Sequence, residues 1–131
     1  MEKKELTIRE LVDEAYRNAV EHGFWADPPE LGTIIAMIHS ELSEALEELR
    51  RGNRLYPDSP EIPPVYYSGN GYISEDWNSH CTKPEGFAVE LADAMILIAS
   101  TFGLLGYDLE AIIREKMQYN ETRPRMHGKK F

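Results

Sequence analysis

Two carboxylates, Glu90 and Asp93, are the only charged residues in the apolar stretch from Phe87 to Leu105. Their three-residue spacing places both side chains on one face of a helix, which we expect to be buried. Burying two anions this close together is unfavourable unless cations or hydrogen-bond donors neutralise them. The pair therefore indicates a metal site, although a buried ion pair with Arg or Lys from another helix is the alternative explanation.

A second acidic pair, Glu41 and Glu44, has the same spacing in an earlier helical segment. Taken alone it is typical of a solvated helix face, but if the two segments pack side by side, four carboxylates line one cleft. Hard cations prefer such oxygen ligands, and the set contains no histidine that would favour Zn²⁺. Di-iron bundles require Glu-x-x-His, which does not occur in this sequence. We therefore predict a Mg²⁺ site, with Mn²⁺ as a substitute cation.

Positive charge suited to phosphate lies near the end of the sequence. Lys116, Asn120 and Arg123 recur at spacings of four and three residues and so share one helix face. Lysine binds phosphate as a point charge and arginine as a bidentate donor, while the asparagine amide can bind a phosphate or a sugar hydroxyl. The alternative is an ordinary basic helix end, which the helix dipole favours. Together with the carboxylates, this face predicts an enzyme that acts on a phosphoanhydride.

Four helices must position these side chains. Thr7 and Glu10 form a capping-box pattern that begins the first helix, and His22 lies where its periodicity ends. The second helix is predicted from Asp27, with two prolines in its first turn, to Arg51. Its apolar face, predicted to lie in the core, carries Ile34, Ile35, Ile38, Leu42, Ala45, Leu46 and Leu49.

The third and fourth helices have comparable start and stop signals. Thr82 and Glu85 repeat the capping-box pattern before the apolar helix, which Gly106 terminates. Asp108 can cap a fourth helix that continues to about Asn120. The basic segment after this helix is predicted to be irregular.

The connection from Gly52 to Thr82 is rich in proline, glycine and aromatic residues and has no sustained periodicity. Loops of this length inside a compact domain often act as lids or binding loops. Its aromatic side chains therefore either cover a ligand, pack on a neighbouring subunit or anchor the loop to the core; they are Tyr66, Tyr67, Tyr72 and Trp77.

The composition limits the classes of function. The 131 residues suit a single domain spanning 1–131, and the net charge of −9 argues against a nucleic-acid polymer or an anionic membrane as partner. The lone Cys81 excludes an intramolecular disulfide and favours a reducing, cytoplasmic setting. The charged N-terminus lacks the apolar stretch of a secretion signal, and the longest uncharged run, Ala94 to Tyr107, is too short to span a bilayer. We expect a soluble protein.

Three motifs, in this order, resemble the MazG-like all-α nucleoside triphosphate pyrophosphohydrolases. They are Glu41-Leu-Ser-Glu44, Glu90-Leu-Ala-Asp93, and a Lys116-x-x-x-Asn120-x-x-Arg123-Pro pattern. The similarity extends from about Ile34 to Lys130. The long connection between helices two and three departs from the bare motif.

The resemblance implies an all-α fold of four-helix subunits assembled as a homodimer or homotetramer. It also implies Mg²⁺-dependent cleavage of nucleoside triphosphates, NTP or dNTP, to monophosphate and pyrophosphate. Glu41, Glu44, Glu90 and Asp93 would hold the metal, and Glu48 would be a further ligand or position the attacking water. The uniformly apolar third helix is a separate reason to expect an oligomer.

Substrate contacts are expected from the positive face and from nearby aromatic residues. The resemblance implies that the face binds the phosphates, while four residues are candidates for contacts with the base: Phe24, Trp25, His39 and Tyr119. A histidine beside an apolar stripe is more often structural, and aromatic residues are more often part of the core. Two alternatives remain open: an enzyme like phosphoribosyl-ATP pyrophosphohydrolase, and a helical dimerisation module that binds a nucleotide or metal without catalysis.

Overall fold

The computed structural model describes residues 5–50 and 86–129, and within these ranges the chain forms α-helices and no strands. The helices are α1 (Ile8–Glu21), α2 (Leu31–Arg50), α3 (Phe87–Leu105) and α4 (Leu109–Glu121), followed by a 3₁₀ turn at Arg125–Gly128. The all-α prediction is confirmed for this part of the chain. The Gly52 to Thr82 connection, with its aromatic residues, lies outside the described residues.

Contacts divide the chain into two units, which are described separately. Unit 1 comprises Met1–Asp27 and Ala99–Phe131, and unit 2 is Pro28–Ile98. Helix α3 contributes its first part to unit 2 and its last part to unit 1. That residues 1–131 form a single domain stays a prediction.

Helix α1 begins at the capping box that the sequence predicts. The Thr7 hydroxyl accepts a hydrogen bond from the Glu10 backbone N–H at 3.1 Å, and the Glu10 carboxylate accepts one from the Thr7 N–H at 3.3 Å. These two bonds satisfy N–H groups that have no partner within the helix. The helix ends one residue before His22.

Helix α2 begins later than predicted. It starts at Leu31, and its first backbone bond runs from the Ile34 N–H to the Glu30 carbonyl at 3.1 Å. Pro28 and Pro29 therefore precede the helix instead of forming its first turn. The reason is that a residue before proline is pushed out of the helical region, which keeps Pro28 extended. Asp27 is consequently not the N-cap.

Helix α3 also begins later than predicted. Gly86 has φ +118°, outside the right-handed helical region, and the helix begins at Phe87. The Thr82 to Glu85 capping pattern itself lies outside the described residues. The predicted end is confirmed, because Gly106 adopts φ +77° immediately after the helix. Such left-handed termination is typical of glycine.

Helix α4 begins as the sequence predicts. The Asp108 side chain accepts a hydrogen bond from the Ala111 N–H at 3.1 Å and so caps the helix. Asp108 also accepts a bond from Arg9 of α1 at 3.0 Å, and Arg9 contacts Glu110 as well. The hydrogen bond from Arg9 is the main reason why the pKa of Asp108 is lowered. These exposed contacts join α1 to α4.

Close packing in unit 1 depends on small residues of α3. A Cβ atom added to Gly103 would lie 2.4 Å from the Cβ of Tyr16, so glycine permits a close approach between α1 and α3. The indole N–H of Trp25 donates a hydrogen bond to the Ser100 hydroxyl at 2.7 Å, and both residues are buried. A buried indole N–H needs such a partner.

Within the single chain, α3 is buried only in part. Ala94 and Ala99 are buried, whereas Met95 is 56% exposed. By length and composition alone α3 could cross a membrane, a property shared by core helices of soluble proteins. The predicted core face of α2 is likewise buried only in part, at Ile34 and Ala45. The remaining large side chains of that face are mostly exposed: Ile35, Leu42, Leu46 and Leu49.

Candidate functional site

Three acidic side chains meet in unit 2 and form what we call the carboxylate cluster: Glu41 of α2 with Glu90 and Asp93 of α3. One oxygen from each carboxylate lies within 4.8 Å of the others. Glu44 is also close enough for its charge to raise the pKa of both Glu41 and Glu90. The structure therefore brings together the two acidic pairs that the sequence analysis identified separately.

Helical geometry explains how the sequence builds this cluster. Residues three apart on a helix project from adjoining positions on one side, so Glu90 and Asp93 both reach Glu41. Glu41 and Glu90 are half-buried, and Asp93 is exposed. Two of the three carboxylates are therefore partly shielded from water, and the third is in contact with it.

Proton affinity in the cluster is abnormally high. Partial burial, followed by the hydrogen bond to Glu44 and the charges of the neighbouring carboxylates, raises the pKa of Glu90 to about 7. The pKa of Glu41 is also raised, first by burial and then by Glu44 and Asp93. Crowded anions that lack a counter-cation retain protons in this way. The same crowding favours any divalent cation that replaces the protons.

The carboxylate cluster could hold a hard cation. Octahedral Mg²⁺ binds oxygen at about 2.1 Å, so oxygens on opposite sides of the ion lie about 4.2 Å apart. The carboxylate oxygens of Glu41, Glu90 and Asp93 lie within 4.8 Å of one another, so the side chains would have to move closer together to bind one ion. Oxygen-only ligands suit Mg²⁺ or Mn²⁺ better than softer metals.

Two other predicted site residues lie along α2. Glu48 is half-buried and lies one turn beyond Glu44, on the same face of α2. His39 is exposed, and its backbone carbonyl accepts a hydrogen bond from the Ser43 hydroxyl at 3.1 Å. Their assigned roles, in catalysis and in base contact, stay predictions.

The predicted phosphate-binding residues belong to unit 1, where two of them share an aromatic ring. The Lys116 ammonium lies 4.8 Å from the centroid of the Tyr119 ring, and the Arg123 guanidinium carbon lies 5.8 Å from it. We call Lys116, Tyr119, Asn120 and Arg123 the cationic face. Both distances fall within the range of cation–π attraction. Tyr119, expected to contact a base, thus also supports two cations.

Asn120 carries an unpaired polar atom. Its Oδ1 is buried and has no hydrogen-bond partner among the described residues. A buried acceptor without a partner is rare in folded proteins and needs a donor from elsewhere. This orphan acceptor lies on the helix face that the sequence analysis predicted for substrate binding.

A residue that the sequence analysis did not identify, His127, contacts Arg123. The Arg123 Nη2 donates to the His127 carbonyl at 3.1 Å, and Nη1 lies 3.4 Å from the ring Nδ1. The sequence signal was the four-residue spacing within the basic tail, but a segment predicted to be irregular gave no reason to pair the two. Their contact depends on the 3₁₀ turn.

Trp25, predicted as a base-contact residue, lies within the packed part of unit 1. Only 9% of the residue is exposed, and its N–H is used by Ser100. This position is typical of a structural residue, and a contact with a base stays a prediction. The neighbouring Phe24 is much more accessible, at 70% exposure.

Comparison with known protein families, with curated proteins and with solved structures finds no match to this chain. Function is therefore inferred from the chemistry of the residues themselves.

Proposed function

We propose that this protein is a MazG-like, Mg²⁺-dependent pyrophosphohydrolase that cleaves nucleoside triphosphates, NTP or dNTP, to monophosphate and pyrophosphate. The observation that carries the proposal is the carboxylate cluster, in which oxygens from Glu41, Glu90 and Asp93 approach within 4.8 Å. Two helices bring these acids together despite their mutual repulsion. Such an arrangement is favourable when a divalent cation neutralises it.

Within this proposal the acidic residues hold the cation and prepare the nucleophile. Glu41, Glu90 and Asp93 provide oxygen ligands, and Glu44 is a fourth ligand. A bound Mg²⁺ supplies Lewis acidity and offsets the negative charge of the phosphates. Glu48 accepts a hydrogen bond from the attacking water and directs it towards phosphorus.

The sequence resemblance implies that residues of the cationic face contact the substrate. Lys116 and Arg123 bind phosphate oxygens, and Arg123 stabilises the negative charge of the leaving pyrophosphate. The Oδ1 of Asn120, which has no partner among the described residues, suits a sugar hydroxyl, because a hydroxyl can donate a hydrogen bond whereas an ionised phosphate oxygen only accepts. Triphosphate and sugar would thus be bound by different atoms of one helix face.

We also propose that the working form is a soluble homodimer or homotetramer. Large apolar side chains are exposed on α2 and α3, and association would remove them from water; they include Leu42, Leu46, Leu91 and Met95. Sedimentation equilibrium of the full chain without detergent should give two or four times 15.0 kDa. A monomer, or material that requires detergent to stay dispersed, would contradict this part of the proposal.

The activity is tested by incubating the full chain with a panel of NTPs and dNTPs plus Mg²⁺ or Mn²⁺ and measuring pyrophosphate release. Glu41→Gln and Asp93→Asn each remove one charge from the cluster and nearly preserve side-chain shape. We expect both variants to lose the activity and to retain the helical circular dichroism of the wild type.

Glu47→Gln is the matched control on α2. The Glu47 carboxylate pairs with Arg50 at 3.0 Å, and an exposed pair of this kind contributes little to stability. The control should therefore keep full activity. Absence of pyrophosphate release with every triphosphate and both metals would exclude the proposed activity. Unfolding of Glu41→Gln would instead assign the acids to a structural network.

A further inference from the structure

We propose that His127 is a positioning residue that holds the Arg123 guanidinium ready to bind phosphate oxygens. The inference rests on the proposed function, in which Arg123 binds the substrate phosphates. It adds a residue that the family motif described above does not contain. The structural basis is the contact between the 3₁₀ turn and the last residue of the cationic face.

His127 offers Arg123 two acceptors at once. The guanidinium donates to the backbone carbonyl at 3.1 Å and approaches the ring Nδ1 at 3.4 Å. An arginine nitrogen can only donate, so this contact requires the tautomer in which Nδ1 is the acceptor. These contacts occupy two of the five guanidinium N–H groups. In the described part of the chain, three N–H groups are left for a ligand.

An unusual backbone conformation brings His127 to this position. Met126 and His127 both adopt φ 54°, in the left-handed region that side-chain-bearing residues seldom occupy. The turn is closed by a bond from the His127 N–H to the Pro124 carbonyl at 2.7 Å and another from the Lys129 N–H to the Met126 carbonyl at 2.9 Å. The backbone thus holds an unfavourable conformation that brings His127 into contact with Arg123.

The Tyr119 ring supports the same guanidinium from a second direction. The Arg123 guanidinium carbon lies 5.8 Å from the ring centroid, and the Lys116 ammonium is attracted to the same ring. A long side chain held by both a ring and a pair of acceptors loses less conformational entropy when it binds a ligand. His127 should therefore increase the affinity for phosphate by preorganising Arg123.

The test measures binding of inorganic pyrophosphate to the full chain by isothermal titration calorimetry. His127→Gly removes the ring but retains the left-handed backbone without strain, so the variant is expected to fold. His127→Asn is the conservative variant, because asparagine tolerates this conformation and places an oxygen acceptor near the position of Nδ1. Circular dichroism of every variant checks the fold.

We expect His127→Gly to weaken pyrophosphate binding about tenfold, the effect of one hydrogen bond to a charged group. His127→Asn should restore most of the affinity. In an Arg123→Ala background, His127→Gly should cause no further loss, because the histidine acts only through the arginine. A residue with a merely structural role would not show this dependence.

The possible failures are distinguishable. If Arg123→Ala leaves pyrophosphate binding unchanged, the phosphate-binding role proposed for Arg123 is wrong and the role of His127 is wrong with it. If Arg123→Ala weakens binding but His127→Gly does not, only the inference about His127 is overturned. An equal loss from His127→Gly with and without Arg123 would also overturn it.

Discussion

Replacing Glu90 by glutamine removes one charge from the carboxylate cluster while preserving the length and shape of the side chain. Without metal, the Glu90 carboxylate of the wild type has Glu41, Glu44 and Asp93 as neighbours. Burial and these neighbours raise its pKa to about 7. We therefore predict that, in metal-free buffer, Glu90→Gln is more stable than the wild type at alkaline pH. An ordinary surface substitution would leave stability nearly unchanged.

The sign and size of this stability difference follow from the pKa of Glu90 in the unfolded and in the folded chain. In the unfolded chain Glu90 ionises near 4.5, and in the folded chain at about 7. The folded state thus binds more protons between these values, so stability falls as the pH rises from about 4.5 through 7. A tenfold change in a protonation equilibrium is worth about 1.4 kcal/mol, which limits the effect to about 3 kcal/mol, and solvent screening of this half-buried group reduces it to about 1–2 kcal/mol.

The assay is urea unfolding in EDTA at pH 5, 7 and 8.5. The wild type should lose stability across this series relative to Glu90→Gln, and the two should converge towards pH 5. Glu115→Gln, at an exposed position on α4, controls for the loss of one negative charge. Excess Mg²⁺ should then restore the free energy of unfolding of the wild type at pH 8.5, and it should raise that of Glu90→Gln by less. A variant less stable than the wild type at pH 8.5 in EDTA would refute the electrostatic reasoning.

Three further substitutions test the packing, each by urea unfolding. Ser100→Ala should lower the free energy of unfolding by about 1–3 kcal/mol, because the buried Trp25 N–H loses its acceptor; an unchanged value would contradict the role of this bond. Gly103→Ala should cost about 1–3 kcal/mol, because the new Cβ would meet Tyr16 at 2.4 Å. Gly32→Ala, in a helix with nothing within 4 Å, should instead stabilise by about 0.5 kcal/mol. Equal effects of the two glycine substitutions would exclude the steric explanation.

Local signals in the sequence predicted the helices well where the start or stop depends on one or two residues. The Thr7 capping box, the Asp108 cap and the Gly106 terminus lie at the ends they were expected to mark. The starts of α2 and α3 were misplaced, because consecutive prolines precede α2 and Gly86, immediately before α3, has a φ outside the right-handed helical region. Residue type alone does not show which backbone conformation is adopted at such helix starts.

The acidic part of the site was predictable because helical spacing and burial cost both point to it. Glu90 and Asp93 were unusual within an apolar helix, and the same spacing at Glu41 and Glu44 indicated the partner helix. The contact between Arg123 and His127 was not predictable, because it depends on two left-handed residues that carry side chains. No periodic pattern encodes such a turn.

The sequence also did not predict which apolar side chains are exposed in the single chain. An apolar helix indicates that its surface will be covered, but it does not say whether the same chain covers it. Helix α3 packs closely on its small residues, including Ala99 and Gly103, and exposes larger ones such as Met95. Hydropathy alone cannot distinguish the interior of one chain from an interface between chains.

The central claim is tested most directly by ³¹P nuclear magnetic resonance of the full chain with a triphosphate panel and Mg²⁺. The account predicts equal amounts of nucleoside monophosphate and pyrophosphate from at least one triphosphate, and neither product from Asp93→Asn. Nucleoside diphosphate with orthophosphate, or triphosphates that remain intact with both Mg²⁺ and Mn²⁺, would contradict it.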